Sequence, residues 1–404
     1  MTRSYPQILL SSLQLHRRNA FEGRNVRLQR CSTSSAGVPV PEPEPSVSSA
    51  SPDDVTSPLT PAASGVTLSA TSTVDTTSST VEEKKVAKKK SALVARIITA
   101  LVVGSMGVYF VVSGSKTFAF FIGFITWQCS LEYIGLMTSK NLPKGLKPPP
   151  ALLRRSMSLL CVGMIVAAQA GIRTGVFETA SFILLSMLLL KRSTMKKPKK
   201  KKVRFSELTY LVFGLFYCGY LPTFWIRLRG VSVAPAVPPP EILGNILNAM
   251  NVEWTVGLLA TFISCLSVVA ADTGAFIGGK LMGSTPLISI SPNKTIEGAA
   301  WGFFSSLAVT LTFNYWFQFP GSIVMAFAFA VATYLASVFG DLIESSMKRA
   351  AGKKDSGQLL PGHGGLLDRF DSYIFTGVLA YGLVYWYNWY QGMPLSQLTI
   401  TPPR

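Results

Sequence analysis

Charged residues are scarce in this chain: they make up 14% of its 404 residues, whereas hydrophobic residues make up 48%. A soluble globular domain usually has roughly 25% charged residues, so that class of protein is a poor match for this composition. The mean hydropathy of +0.35 points the same way. Low charge with abundant apolar residues indicates an integral membrane protein with basic loops.

Cysteine clusters that bind metals or form cross-links are also missing. The five cysteines are widely spaced, without a CxxC pair or a Cys/His cluster. This spacing indicates neither a zinc site nor a disulfide framework. The last four cysteines lie inside apolar runs, where cysteine usually acts as a small buried side chain.

Acidic residues are few: the chain has 20 Asp and Glu against 38 Lys and Arg, a formal net charge of +18. The basic residues are not interleaved with aromatics in a recognisable nucleic-acid motif, so nucleic acid is not a predicted partner. The partners predicted instead for such a basic membrane protein are anionic lipid surfaces and a nucleotide.

Residues 1–80 are not predicted to fold. The first 40 are rich in Arg and Ser, and Glu22 is the only acid before the Pro/Glu tract. This composition is typical of an organelle transit peptide, and its serines favour a plastid over a mitochondrion. The Ser/Thr/Pro-rich remainder is predicted to be disordered. A disordered cytosolic tail is the alternative interpretation of the leader.

A basic segment, 81–92, precedes a predicted membrane domain, 93–391, and a tail, 392–404, follows it. About nine apolar segments are long enough, or nearly so, to cross a bilayer that needs ~20 residues per helix. The prediction is therefore an all-α polytopic membrane protein. The predicted spans are 94–113, 117–137, 152–171, 175–190, 208–226, 253–271, 298–318, 321–340 and 372–390.

Basic residues in the loops support an alternating topology. If the lysines at 84–90 lie on side A of the membrane, then so do the basic loops within 140–155 and 191–204, whereas the opposite loops have fewer basic residues. The positive-inside bias predicts this arrangement. Two polar motifs, 272–297 and 341–371, then fall together on side A. In an organelle protein, side A is the matrix or the stroma.

The first polar motif begins at Asp272. From Gly274 to Lys280 it matches the GxxxxGK pattern of a P-loop. The P-loop interpretation is rejected, because Leu281 stands where a metal-binding Ser or Thr is required and an apolar helix, not a strand, precedes the motif. Closely spaced glycines nevertheless let backbone N–H groups approach phosphate. Further donors for a phosphate follow in the same motif: Ser291, Lys294 and Thr295.

Helix packing through small residues is the alternative interpretation of this motif. It accounts for Gly278 and Gly279. It does not account for Asp272, because a carboxylate is costly at the end of a membrane helix unless it is paired or binds a cation.

The second polar motif, 340–371, lies between two apolar runs and contains charges of both signs. Cations bind phosphate oxygens, and carboxylates hold the divalent ion that accompanies a nucleotide, so this motif predicts phosphate chemistry. Four of its residues have the spacing of one helix face, namely Asp341, Glu344, Ser345 and Lys348. A solvated surface helix is the alternative for such a stripe.

A proline and three glycines interrupt regular helix at 361–365, which leaves an open backbone that can approach a ligand closely. His363 lies within this segment. It is a candidate general base, with a hydrogen-bonding or orienting role as the alternative.

Asp368 and Asp371 are one helical turn apart, and their carboxylates repel each other unless a cation shares them. With Asp341 or Asp272 brought in from another helix, they are candidate ligands of a Mg²⁺ ion. A structural ion pair with Arg369 is the alternative. Glu132, inside the second apolar segment, is predicted to support the polar cavity from outside the site itself.

The motifs also carry a family resemblance. It rests on Ser345-x-Met347-Lys348-Arg349, on Lys354-Asp355 and on Leu360-Pro361-x-His363-Gly364-Gly365-Leu366-x-Asp368-Arg369-Phe370-Asp371. These residues, with the Asp-Thr-Gly-Ala at 272–275 and the Ser-Pro-x-Lys-Thr-x-Glu-Gly at 291–298, resemble the phosphatidate cytidylyltransferases, or CDP-diacylglycerol synthases. Asn293 and Ile296 depart from that family, many members of which have Lys and Trp there.

The resemblance implies an enzyme that makes CDP-diacylglycerol and pyrophosphate from CTP and phosphatidate in a lipid bilayer, with Mg²⁺. It implies catalytic roles for Asp341, Lys348, Arg349, Lys354, Asp355, His363, Asp368 and Arg369. It implies substrate contacts for Gly274, Ser291, Lys294, Thr295, Glu297, Ser345, Gly364 and Gly365. A homodimer is an open expectation. Two other functions stay open: a CTP-dependent lipid-alcohol kinase, which releases CDP, and a membrane transporter.

Overall fold

The computed structural model describes residues 102, 104–139, 149–172, 175–194, 205–288, 291–359 and 364–394. The predicted leader, the segment 81–92 and most of the tail 392–404 lie outside these residues. Within them the chain is mainly helical, as predicted. After a helical stretch at 104–112, the helices are α1 (Ser115–Met137), α2 (Ala151–Gln169), α3 (Val176–Thr194), α4 (Phe205–Gly214, followed by a π-helical turn, Leu215–Tyr220), α5 (Thr223–Arg229), α6 (Glu241–Ala249), α7 (Val256–Met282), α8 (Ile296–Phe317), α9 (Ile323–Ala350) and α10 (Leu367–Tyr390).

Six stretches of the described chain are helical, long and apolar enough to cross a bilayer. They are Ser115–Met137, Ala151–Gln169, Ser206–Arg229, Val256–Met282, Ile296–Phe317 and Ile323–Ala350. A shorter apolar stretch, Val176–Leu190, corresponds to the fourth predicted span. The first predicted span, 94–113, lies partly outside the described residues. The polytopic membrane fold is confirmed, whereas the count of nine spans stays a prediction.

Hydroxyl side chains mark where three of the long helices begin. Thr255, Thr295 and Ser322 each accept a hydrogen bond from the backbone N–H three residues on, at 3.2, 3.1 and 3.3 Å. Such a cap satisfies one of the N–H groups that the first turn of a helix leaves free. The starts of α7, α8 and α9 are therefore set by local sequence.

Three helices extend past the predicted membrane segments. α7 continues to Met282 instead of ending at 271, α9 continues to Ala350 instead of 340, and α10 begins at Leu367 instead of 372. The predicted ends followed the loss of apolar residues. A helix satisfies its own backbone hydrogen bonds, however, so it can continue through polar positions. The two polar motifs thus lie partly on helix ends rather than in loops.

Glycines on α7 and α8 bring these two helices close together. A Cβ atom added at Gly278 would lie 2.3 Å from Cγ of Trp301, and one added at Gly302 would lie 2.8 Å from the carbonyl oxygen of Ala271. Small residues at such positions let helix backbones approach closely. The packing interpretation of Gly278 is confirmed. Because residues 274–279 are helical, their N–H groups lie within the helix ladder, so the idea of free phosphate-binding N–H groups there is wrong.

A short hairpin between α7 and α8 is the exception to the all-α prediction. Strand β1 (Pro286–Ile288) pairs antiparallel with β2 (Ser291–Thr295), with Pro286 opposite Thr295 and Ile288 opposite Ser291. β2 leads directly into α8. The hairpin therefore holds Lys294 and Thr295 at the start of that helix.

Within the described residues, the buried core has two apolar clusters. One surrounds Trp225 and Leu258, and the other surrounds Tyr133 and Leu215. Phe370, in the first turn of α10, packs against both clusters. The start of α10, which carries part of the second polar motif, is thus fixed by apolar contacts on both sides.

Candidate active site

A cavity of about 260 Å³, lined by apolar and charged side chains, lies where α7 and α9 meet the hairpin and the start of α8. Its charged lining residues are Asp272 from α7, Lys294 from β2 and Asp341 from α9. The cavity therefore joins the first polar motif to the second, as the predicted topology requires. Hydroxyl side chains also line it: Thr295, Tyr334, Ser337 and Ser372.

One cation and two carboxylates dominate the cavity. Lys294 forms an ion pair with Asp341, and the side chains of the two residues are 32% and 25% exposed. Ser345 Oγ donates to Oδ1 of Asp341 at 3.1 Å, which orients that carboxylate. Asp272 is exposed within the same cavity. A lysine that shares a cavity with two partly accessible carboxylates can hold phosphate oxygens while the carboxylates hold a cation.

The predicted polar face of α9 is present in the structure. Lys348 forms ion pairs with Glu344, one turn earlier on α9, and with Asp368 on α10, where Nζ lies 2.8 Å from Oδ1. The side chain of Glu344 is fully buried. The face is therefore not a solvated surface stripe. It runs from the cavity at Asp341 to the start of α10.

Asp368 anchors the segment that precedes α10. Its carboxylate accepts hydrogen bonds from the backbone N–H of Ser356, at 2.9 and 3.1 Å to the two oxygens, and from the N–H of Gly365 at 2.8 Å. Together with Lys348, these donors occupy both carboxylate oxygens. Asp368 does not line the cavity, so the structure gives it an anchoring contact that the sequence did not predict.

Asp371 is buried, with 5% exposure, and its Oδ1 accepts a hydrogen bond from the N–H of Ser372 at 2.7 Å. It adjoins the cavity through Ser372 but is not among the lining residues. Within the described part of the chain, no group of three or more His, Cys, Asp or Glu side chains is arranged to hold a metal ion. Of the four predicted metal ligands, the structure brings Asp272 and Asp341 into the cavity.

Glu297, a predicted substrate contact, holds the connection between α7 and β1. Its carboxylate accepts from Ser284 Oγ at 2.9 Å and from the N–H groups of Ser284 and Thr285 at 3.2 to 3.3 Å. Gly274 packs against α8, since a Cβ atom there would lie 2.2 Å from Oγ of Ser305. Both residues therefore shape the wall near the cavity without being among its lining residues.

The remaining predicted residues are spread along the second motif. Four of them are exposed and do not line the cavity: Arg349, Lys354, Asp355 and Arg369. Gly364, with a φ of +80°, and Gly365 lie immediately before α10. Ser291 is in β2 and also lies outside the lining. His363 falls outside the described residues, so its predicted role stays a prediction.

Some contributors to the cavity were not predicted from sequence. Tyr334 and Ser337 on α9 and Ser372 on α10 line it, and Tyr334 donates its hydroxyl hydrogen bond to the carbonyl oxygen of Ala299 at 2.6 Å. The sequence feature that could have indicated these lining residues is a hydroxyl side chain within an otherwise apolar run. On its own it does not distinguish a lining residue from one that bonds to its own helix.

Comparison with known proteins agrees with this fold. Residues 94–387 match the model of the cytidylyltransferase family. This match covers most of the chain, so the chain belongs to the cytidylyltransferase family.

Individual relatives have more specific names. Phosphatidate cytidylyltransferase 4, chloroplastic, of Arabidopsis thaliana is 42% identical over 311 residues, which cover 75% of this chain and 76% of the relative. Phosphatidate cytidylyltransferase 5, chloroplastic, of the same plant is 42% identical over 304 residues, or 74% and 73% of the two chains. The phosphatidate cytidylyltransferase of Synechocystis sp. is 34% identical over 296 residues, or 72% and 95%.

Proposed function

We propose that this chain is a phosphatidate cytidylyltransferase, which converts CTP and phosphatidate to CDP-diacylglycerol and pyrophosphate for phospholipid synthesis. The observation that carries the proposal is the cavity in which Lys294 lies with Asp272 and Asp341 at the polar ends of membrane helices. The family match and the names of the relatives support the choice of nucleotide and lipid.

In the proposed reaction, a phosphate oxygen of phosphatidate attacks the α-phosphorus of CTP. The bond from that phosphorus to the oxygen bridging the α- and β-phosphates breaks, and pyrophosphate leaves in line. Phosphatidate already carries an anionic oxygen, so no strong base is needed. Lys294 is the cavity cation that would hold the phosphate groups, and its contribution is preorganised electrostatic stabilisation.

Lys348 has a different role in this proposal. Its ammonium group lies between Glu344 and Asp368, so it fixes the start of α10 beside the cavity. Arg349 and Lys354, whose side chains are both exposed, remain candidates for phosphate contacts. The same proposal keeps Asp355, Arg369 and His363 as candidate catalytic residues.

The cavity fits the Mg²⁺ ion that the family resemblance implies. A protein binds Mg²⁺ through one or two carboxylates together with substrate phosphates and water, so three protein ligands are not needed beforehand. Asp272 and Asp341 would hold the ion, with Asp371 and Asp368 as the further ligands predicted from sequence. When bound, the ion neutralises charge that develops on the departing pyrophosphate.

We further propose that the enzyme lies in a plastid membrane with the cavity facing the stroma. The names of the two Arabidopsis relatives and the apolar helices support a plastid multi-pass protein. The orientation rests on the excess of basic residues in the side A loops. Two copies would form the expected homodimer, and native mass spectrometry in detergent tests that assembly.

One assay tests the proposed reaction. Purified protein is incubated with phosphatidate, CTP labelled at the α-phosphate and Mg²⁺. We expect the label to enter the lipid while pyrophosphate appears in equal amount. Label recovered as CDP would assign the protein to the lipid-alcohol kinases instead, and unchanged CTP would contradict the proposal.

A further inference from the structure

Glu132 is a buried carboxylate in α1, a helix long enough to cross the membrane, and its exposure is 7%. A carboxylate in such a position is costly unless hydrogen bonds satisfy it. Donors from more than 200 residues further along the chain do so. Ser356 Oγ donates to Oε2 at 2.8 Å, and the N–H groups of Leu366 and Leu367 donate to Oε1 and Oε2, each at 2.9 Å.

These donors lie between α9 and α10 or at the first residue of α10, in the described stretches 351–359 and 364–367. We name these two stretches together the motif loop. Ser356 lies early in the loop, and Leu366 and Leu367 lie at its end. A single carboxylate in α1 therefore ties the first half of the motif loop to the first turn of α10. The bonds from Leu366 and Leu367 also satisfy N–H groups that the start of a helix leaves free.

Two glycines allow the loop to approach Glu132 closely. A Cβ atom added at Gly357 would lie 2.8 Å from Cδ of Glu132, and one added at Gly365 would lie 2.3 Å from its Oε2. Any larger residue at either position would push the loop away from the carboxylate. The glycine at 365, predicted from sequence to touch substrate, thus has a defined packing partner.

The end of α1 and a residue just after it add two further contacts to the motif loop. Lys353 Nζ donates to the carbonyl oxygen of Gly135 at 3.1 Å. Ser139 Oγ donates to the carbonyl oxygen of Ala351 at 2.8 Å. The motif loop therefore packs against the C-terminal end of α1 and is hydrogen-bonded to it.

Ser356 connects this support to the polar motif residues. Its side chain donates to Glu132, while its backbone N–H donates to Asp368, which also accepts from Lys348. Glu132 is thus two hydrogen bonds from Asp368. Loss of its carboxylate would free the segment that holds Asp368 and the neighbouring Lys354 and Asp355.

We propose that Glu132 is a positioning residue for cytidylyl transfer: its carboxylate holds the motif loop, and through it Asp368, in the arrangement that the reaction needs. The role in catalysis rests on the function proposed above. The hydrogen bonds between Glu132 and the motif loop do not depend on that function, because they are contacts within the protein.

The test compares Glu132→Gln, Glu132→Asp and Glu178→Gln in purified full-length protein. The glutamine amide keeps one acceptor oxygen but turns an N–H₂ group towards backbone N–H donors, whereas aspartate keeps the charge. Glu178 is the matched control, since it is buried to a similar degree and accepts from Arg227 at 2.6 Å, away from the loop. Two quantities are measured: hydrogen exchange of loop peptides without substrate, and steady-state turnover of CTP.

We expect Glu132→Gln to speed exchange of peptides covering Ser356 and Leu366 about fivefold, the factor that corresponds to losing one hydrogen bond of average strength. We expect kcat to fall about 100-fold, as for a displacement of roughly 1 Å, with a smaller change in KM and partial recovery in Glu132→Asp. Glu178→Gln lowers thermal stability but leaves loop exchange at the wild-type rate.

Unchanged loop exchange in Glu132→Gln, or loss of activity only in proportion to lost folded protein, would overturn the proposal. If that variant does not fold, Ser356→Ala tests the same proposal, because it removes one hydrogen-bond donor to Glu132 from the motif loop. It is expected to speed loop exchange and to lower kcat, each to a lesser extent than Glu132→Gln. Wild-type protein that fails to make CDP-diacylglycerol refutes the proposed function, while the exchange comparison still tests the hold on the loop.

Discussion

Lys294 and Asp341 form an ion pair although 47 residues separate them in the sequence. The lysine comes from the hairpin before α8, and the aspartate lies nine residues before the end of α9. Both residues line the cavity that also includes Asp272. The two polar motifs therefore form one site.

Lys294→Met should raise the KM for CTP and lower kcat/KM by about 100-fold, because it removes a preorganised cation from the cavity. Lys294→Arg keeps the charge and should recover part of the loss. Lys280→Met is the matched control, since Lys280 lies over the ring of Phe276 at the exposed end of α7 and does not line the cavity. Steady-state kinetics with varied CTP checks this prediction. Equal effects of Lys294→Met and Lys280→Met would contradict it.

Asp368→Asn should reduce turnover at least about 100-fold while the protein still inserts, because four donor contacts lose their charged acceptor. The measurement is CDP-diacylglycerol formation over a titration of Mg²⁺. A raised Mg²⁺ requirement assigns to Asp368 the metal role predicted from sequence. An unchanged requirement assigns the loss to the anchoring contacts alone. Near-normal turnover contradicts both roles.

Gly278→Ala should lower the melting temperature, because its new methyl group would lie 2.3 Å from Cγ of Trp301, and overpacking of this kind costs about 1–3 kcal/mol. Gly382→Ala in α10 is the control, since a Cβ atom there meets no atom within 4 Å. It should be neutral or stabilising, by up to about 1 kcal/mol, as alanine favours a helix over glycine. Thermal unfolding in detergent measures both variants. A Gly278→Ala protein as stable as Gly382→Ala would show that the α7–α8 contact tolerates the methyl group.

Sequence spacing was sufficient to predict the polar face of α9, since residues three and four apart share a face in any helix. The contact between Glu344 and Lys348 is of this local kind. Helices α7 and α9 continue beyond the predicted membrane spans, because a change of polarity is not the end of a helix. Nothing local predicts the hairpin, whose second strand, Ser291–Thr295, is short and lacks an alternating apolar pattern.

The partners of Glu132 and Asp368 show why the rest of the site could not be predicted. The bond from Ser356 to Glu132 spans 224 residues, and its existence depends on how α1 packs against the motif loop. The sequence identified a buried acid and an acidic motif separately. It did not show that one serine joins them. The metal ligands raised the same difficulty, since Asp368 and Asp371 are close in sequence whereas Asp272 and Asp341 share the cavity.

The central claim is that Asp272 and Asp341, with Lys294, form the site of cytidylyl transfer, and one comparison tests it directly. Wild-type protein, Asp272→Asn, Asp341→Asn and Glu253→Gln are reconstituted at equal amounts in liposomes that contain phosphatidate, and transfer of label from α-labelled CTP to lipid is measured. Glu253 is exposed near α6, outside the cavity, and serves as the control acid. We expect wild-type and Glu253→Gln proteins to label the lipid at the same rate and both cavity variants to be slower by at least about 100-fold. Wild-type rates from Asp272→Asn and Asp341→Asn would contradict the account.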